Sequence, residues 1–140
     1  MDITYTDLAF GKNDIRGKVG EDISAELFQL IGKGFAAYLA LKGETPENIW
    51  IGVAQDARLH SPELTDSLIK GLMLSGVNVL DLGLCPTPLG YFSEYIDFSG
   101  KTGINSNLKQ HGLTGAMIVT ASHNPSEYNG IKITYKKSRS

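Results

Sequence analysis

Ser122, His123 and Asn124 stand side by side in the stretch VTASHNPSEYNGIKI, directly after an apolar run that starts at Leu113. Pro125 follows at once, and Lys132 sits in the short apolar segment that comes next. A serine hydroxyl becomes a nucleophile when a base lies within hydrogen-bond reach. His123 is a poor base for Ser122, because neighbouring side chains of extended backbone point to opposite sides. The sequence also has no G-x-S-x-G elbow, so hydrolase chemistry is disfavoured. Phosphate chemistry fits better. Amides exposed where a strand opens into a turn can form an anion-binding nest. Arg16, in the segment DIRG, and Lys132 would add cations if both segments end on one sheet edge. Phosphoryl transfer asks a protein mainly for positioning and charge stabilisation. The same residues also read as an ordinary turn beside a solvated lysine, and spacing alone does not choose between the two.

Metal chemistry has less behind it. His60, His111 and His123 show no ligand spacing, and no acidic cluster flanks Ser122. A hard cation such as Mg²⁺ wants several oxygen ligands. Asp56 and Asp81 are expected to be structural, the first in a turn and the second facing out of a strand.

The elements that must position these residues alternate along the chain. A first extended segment covers Leu8 to Ile15. A helix is expected to begin near Asp22 or Ser24, either of which can accept hydrogen bonds from the first turn. Leu27, Leu30, Ile31, Gly34, Phe35, Tyr38 and Leu39 recur at three and four residues, which predicts one apolar helical face. Gly43 is expected to cap it in the left-handed conformation. A strand follows over Asn48 to Gln55. Ser61 then reads as the N-cap of a second helix, with Pro62 in its first turn. Leu64, Leu68 and Leu72 line one side of that helix, and Gly76 ends it. VNVLDLGL is the next strand, and Thr87 with Pro88 opens a helix to about Ile96. Residues 98–112 are polar and glycine-rich, as a loop would be. LTGAMIVTA is the last central strand, and GIKITY a short final one.

Strands alternating with helices predict an α/β fold. We expect a three-layer α/β/α sandwich with a mixed, mostly parallel sheet of about four strands. In such sheets ligands gather at the carboxyl ends of strands, and the Ser-His-Asn cluster lies at such an end.

Bulk properties agree with one such unit. The 140 residues suit a single domain, with 41% hydrophobic and 20% charged residues, an ordinary balance for a globular chain. A net charge of -2 gives no electrostatic footprint for nucleic acid or an anionic membrane. Cys85 is the single cysteine, which excludes an internal disulfide. The first residues lack a signal-peptide pattern, and there is no run of about 18 apolar residues to span a membrane. A cytoplasmic location is the expectation.

The stretch TASHNPSEYNGIK closely resembles the phosphoserine loop of the α-D-phosphohexomutases, the phosphoglucomutase/phosphomannomutase family. FGKNDIRGKVGEDIS is similar to the family's opening F-x-x-Y-D-I-R-G segment. VAQDARLHSPEL is similar to its G-R-D-x-R-x-S segment, and DLGLCPTPL to its D-x-G-x-x-P-T-P segment. All four come in the family's order. The resemblance implies that phosphate moves between the 1- and 6-positions of a hexose through a sugar bisphosphate. Ser122 would carry the phosphoryl group, and His123 would act with it in catalysis, supporting the loop and the reacting phosphate. Arg16 and Lys132 would be the cations and proton-transfer groups beside the reacting centre and the substrate. Asn124, Asn129 and Asp14 would shape the loop. Glucose or mannose 1,6-bisphosphate would be the activator. Mg²⁺ would meet this chain only through the phosphate on Ser122.

The chain departs from the family at several points. Asn13 replaces the tyrosine before D-I-R-G. Ala54 and Gln55 replace the glycine and arginine of G-R-D, so a cation supporting the loop is expected to be missing. Tyr128 in EYNGIK leans toward the phosphomannomutase/phosphoglucomutase branch rather than the phosphoglucosamine branch. The family has four domains, and residues 1–140 match only the first. The metal-binding, sugar-selecting and C-terminal phosphate-binding loops are absent. The expectation is therefore the N-terminal domain of a longer enzyme, inactive when isolated and partnered by its remaining domains and a hexose phosphate. Lys136, Lys137 and Arg139 would be a solvated tail. The alternative is a stand-alone phosphosugar-binding or regulatory module without catalysis.

Overall fold

The computed structural model describes residues 14–84, 108, 110, 112–121 and 125–135, with the side chains of Asp14 and Tyr135 left out. Several expected features lie outside these residues: the strand start before Asp14, Asn13, Cys85, the helix from Thr87, most of the 98–112 loop, and the tail after Tyr135. Ser122, His123 and Asn124 also lie outside them.

Seven elements build the described part. They are β1 (Asp14–Lys18), α1 (Ala25–Leu41), β2 (Trp50–Gln55), α2 (Ser61–Leu74), β3 (Asn78–Leu84), β4 (Gly115–Val119) and β5 (Tyr128–Tyr135), with one 3₁₀ turn at Pro46–Asn48. The strands form one sheet in the order β1-β5-β4-β2-β3. β2 pairs in parallel with β3 and β4, while β5 pairs antiparallel with β4 and β1. The fold is α/β with a mixed, mostly parallel sheet, as expected, with one correction: among the described residues the sheet has five strands rather than about four, and β5 runs against the other four. The physical reason is the connection from β4 to β5. It is too short to hold a crossover helix, so β5 returns directly and is the one strand that opposes the others.

Ser24 caps α1, its hydroxyl accepting the amide of Leu27 at 3.1 Å. Asp22 instead accepts the Lys18 amide at 3.1 Å. At the other end Gly43 has φ +92°, its amide donating to Ala40 O and that of Glu44 to Leu39 O. This pairing satisfies two carbonyls the helix would otherwise leave open.

The apolar face of α1 differs from the one expected. Leu27 and Leu39 are buried, but Phe28, Gly32 and Ala36 complete the buried stripe. Leu30 and Tyr38 are 39% and 46% exposed. The cause is the contact with α2. A Cβ on Gly32 would meet the Leu68 carbonyl oxygen at 2.6 Å and the Leu72 amide at 2.9 Å, and one on Gly71 would collide with the backbone of Gln29. Two helices this close need small residues where they touch, so the larger apolar side chains rotate to the flanks.

α2 buries Leu64, Leu68 and Leu72, as their spacing predicts. Ser61, expected as its N-cap, is the first helical residue instead, and the cap position is His60, which makes no side-chain cap bond. The Ser61 hydroxyl is engaged elsewhere.

The main core lies between the two helices and one face of the sheet, and includes Ile15, Ile51, Val53, Met117, Val119 and Ile131. Leu108 and Leu113 form a second cluster with Trp50 and Leu80. Strand alternation assigns that cluster to the other face, because Trp50 and Leu80 alternate with Ile51 and Val79 of the main core. The helix expected to complete that outer layer falls outside the described residues.

Candidate active site

β4 is buried at all five positions, and burial continues through Thr120 and Ala121 at its carboxyl end. Ser122 is the next residue in the chain. The description resumes at Pro125, and the returning arm is held at nearly every step. The Tyr128 amide donates to Pro125 O at 2.9 Å, closing a turn. The Val19 amide donates to Glu127 O, and the Thr120 amide to Gly130 O, each at 2.9 Å. Both described flanks of the serine segment are thus fastened to the sheet.

The register then fixes where the two expected cations lie. Lys132 pairs with Ile118 on β4 and with Asp14 on β1, and Arg16 pairs with Gly130. Ile15, Ile131 and Ile133 pack on the helix-side core. By alternation Arg16 and Lys132 stand on the opposite face, as diagonal neighbours on adjacent strands. Both are partly buried, and both engage neighbouring groups. Ile118, the partner of Lys132 on β4, precedes Ser122 by four positions. Asp14, expected in loop support, is the backbone partner of Lys132.

Gly130 makes this juxtaposition possible. A Cβ there would collide with the Ile15 carbonyl oxygen and lie 2.7 and 2.8 Å from the Arg16 Cα and Cβ. Real Cβ atoms do not approach backbone so closely, so any other residue would push β1 away from β5 and Arg16 away from Lys132.

Asn129, also expected in loop support, is fully buried on the helix side. Its side-chain amide donates to Ser61 Oγ at 3.0 Å, and its Oδ1 accepts the Gly130 amide at 2.9 Å. The Ser61 hydroxyl donates to Asp56 Oδ1 at 2.6 Å. Asp56 stands in a turn, as expected, and also accepts the Arg58 amide at 3.1 Å. The second Asp56 oxygen takes Arg58 Nε at 3.0 Å. Arg58 Nη1 then reaches Pro125 O at 2.7 Å and Tyr128 O at 3.2 Å. Arg58, the second arginine position of the G-R-D-x-R-x-S-like segment, thus reaches the turn that follows the serine segment. Asp56, Arg58 and Ser61 were readable in the QDARLHS stretch, yet nothing in their spacing showed that they reach the serine loop. Asp81, facing solvent as expected, accepts the Gly83 amide at 2.9 Å, where β3 is irregular.

Among the described residues, no three His, Cys, Asp or Glu side chains gather where a metal ion could bind. No described helix is long and apolar enough to cross a membrane.

Residues 7–139 match the family model described as phosphoglucomutase/phosphomannomutase, alpha/beta/alpha domain I. The chain belongs to the phosphoglucomutase/phosphomannomutase family. It is 40% identical over 127 residues to a phosphomannomutase/phosphoglucomutase of Pseudomonas putida, a match covering 91% of this chain and 24% of that protein. It is 40% identical over 124 residues to a phosphoglucomutase of Neisseria meningitidis, covering 89% of this chain and 23% of that protein. The crystal structure of a phosphoglucomutase/phosphomannomutase family protein from Burkholderia thailandensis superposes with a TM-score of 0.81 at 32% identity, over 96% of this chain and 27% of that one. The chain thus spans about a quarter of the length of the curated relatives it matches. Within this phosphoglucomutase/phosphomannomutase domain, the carboxyl ends of β2 and β4, the Pro125–Tyr128 turn and the Asp56–Arg58 network lie at one end of the sheet.

Proposed function

We propose that this chain is the phosphoserine-bearing first domain of a longer phosphohexomutase, which interconverts hexose 1-phosphate and hexose 6-phosphate. In the first half-reaction the bond between phosphorus and Ser122 Oγ breaks and that oxygen takes up a proton, while a new bond forms to a sugar hydroxyl whose proton passes to a nearby base. The product is a hexose bisphosphate. After it reorients, its other phosphate returns to Ser122 and the isomeric monophosphate leaves.

Arg16 and Lys132 would stabilise charge on the transferring group and serve as its proton-transfer partners. His123 and Asn124 would support the loop from within. The observation that carries this reading is the diagonal placement of Arg16 and Lys132 on one face of the β1/β5 pair, beside the strand that leads into Ser122. Fixed cations beside a transferring phosphoryl group supply the positioning and charge stabilisation such a reaction needs. Mg²⁺, if the enzyme uses it, would be held mainly by residues outside this chain. The isolated 140 residues would show no turnover, since most of the sugar pocket would come from the other domains.

Turnover by the full-length enzyme, assayed with added hexose 1,6-bisphosphate, tests the reading. Ser122→Ala is expected to lower kcat by at least about a thousandfold. Full turnover in that variant would refute it.

A further inference from the structure

We infer that Arg58 is a positioning residue for phosphoryl transfer: it clamps the return of the serine loop, and Asp56 aims the clamp. The inference rests on the phosphoserine reading above. Arg58 lies far from Ser122 in sequence. Its side chain is only 13% exposed. One end of the guanidinium is tied to Asp56 Oδ2, and Nη1 holds the two carbonyls that bracket the Pro125–Tyr128 turn. Those carbonyls belong to the first described residues after Ser122, His123 and Asn124.

Asp56 is itself fixed from the other side. It is acceptor-only when ionised, so the Ser61 hydroxyl must donate to it. Ser61 Oγ is then left to accept the Asn129 amide, as observed. Asn129 in turn holds the amide of Gly130, the residue on which β1 rests beside Arg16. One chain of donors and acceptors, buried at Asn129 and partly exposed at Asp56 and Arg58, therefore joins the Pro125–Tyr128 turn to the strand that carries Arg16. A shift at Arg58 would misplace the nucleophile relative to its cations without touching substrate. Lysine cannot replace this fork, because a single ammonium lacks the planar set of donors that spans a carboxylate and two carbonyls.

The test uses the full-length enzyme with Arg58→Lys and Arg58→Ala. The measurements are kcat, KM for hexose phosphate, and amide hydrogen exchange of the peptide covering residues 121–130. Both variants are expected to lose about 10- to 100-fold in kcat with KM within about twofold of the parent. Exchange in that peptide should accelerate while the rest of the domain keeps its protection. Added guanidinium ion should raise kcat of Arg58→Ala but not of Arg58→Lys. Unchanged kcat, unchanged exchange, or a loss that guanidinium does not repair would each overturn the inference. If the parent enzyme takes no phosphate on Ser122, the phosphoserine reading fails separately. The exchange measurement then still decides whether Arg58 holds the loop.

Discussion

The two faces of this sheet are built from alternate residues of the same strands, yet they are asked for different things. On the helix side, Ile15, Val119 and Ile131 stand in one row across β1, β5 and β4, at 8%, 0% and 0% exposure. One residue further along, on the opposite face, the row reads Asp14, Lys132 and Ile118, with Arg16 a diagonal step away. The apolar row fixes the register, because a one-residue slip would turn every buried side chain outward. The charged row inherits that register. The domain thus places two cations through a register that its core fixes.

Substitutions on neighbouring residues should separate the two roles. Ile131→Ala is expected to have the largest effect on stability, about 2–5 kcal/mol, from lost burial and the cavity left behind. Chemical denaturation of the domain within the enzyme would measure it. Gly130→Ala comes next, at about 1–3 kcal/mol, because the new methyl must displace β1. It should lower turnover as well, since Arg16 moves with the strand. Lys132→Met should cost the least stability, under about 1 kcal/mol, as expected for a partly exposed charge. Its loss should fall on kcat instead. Equal stability losses for Ile131→Ala and Lys132→Met would erase the distinction between the faces.

Much of this division was legible in the sequence. β2 and β4 announced themselves as short apolar runs, and Ser24 and Gly43 marked the ends of α1. The alternation around Ile131 and Lys132 was visible in GIKITY. The failures share a cause, which is contact between segments distant in sequence. Periodicity placed Leu30 and Tyr38 on the buried face of α1, because nothing local shows that Gly32 and Gly71 let two helices touch. Ser61 read as an N-cap because its hydroxyl chemistry suits one, but Asp56 and Asn129 compete for that hydroxyl. Nothing local shows that Arg58 reaches Pro125 from 67 residues away in the chain. Gly130 read only as the start of a short strand, and its need for close backbone approach appears only once β1 lies against it.

The most direct test of the central claim is transfer of label to the serine. The full-length enzyme would be incubated with a hexose 1,6-bisphosphate carrying radioactive phosphate, then digested and its peptides mapped. The account predicts label on Ser122 alone, absent in Ser122→Ala and acquired more slowly in Lys132→Met. Label on another residue, or none on an enzyme that turns over, would contradict it.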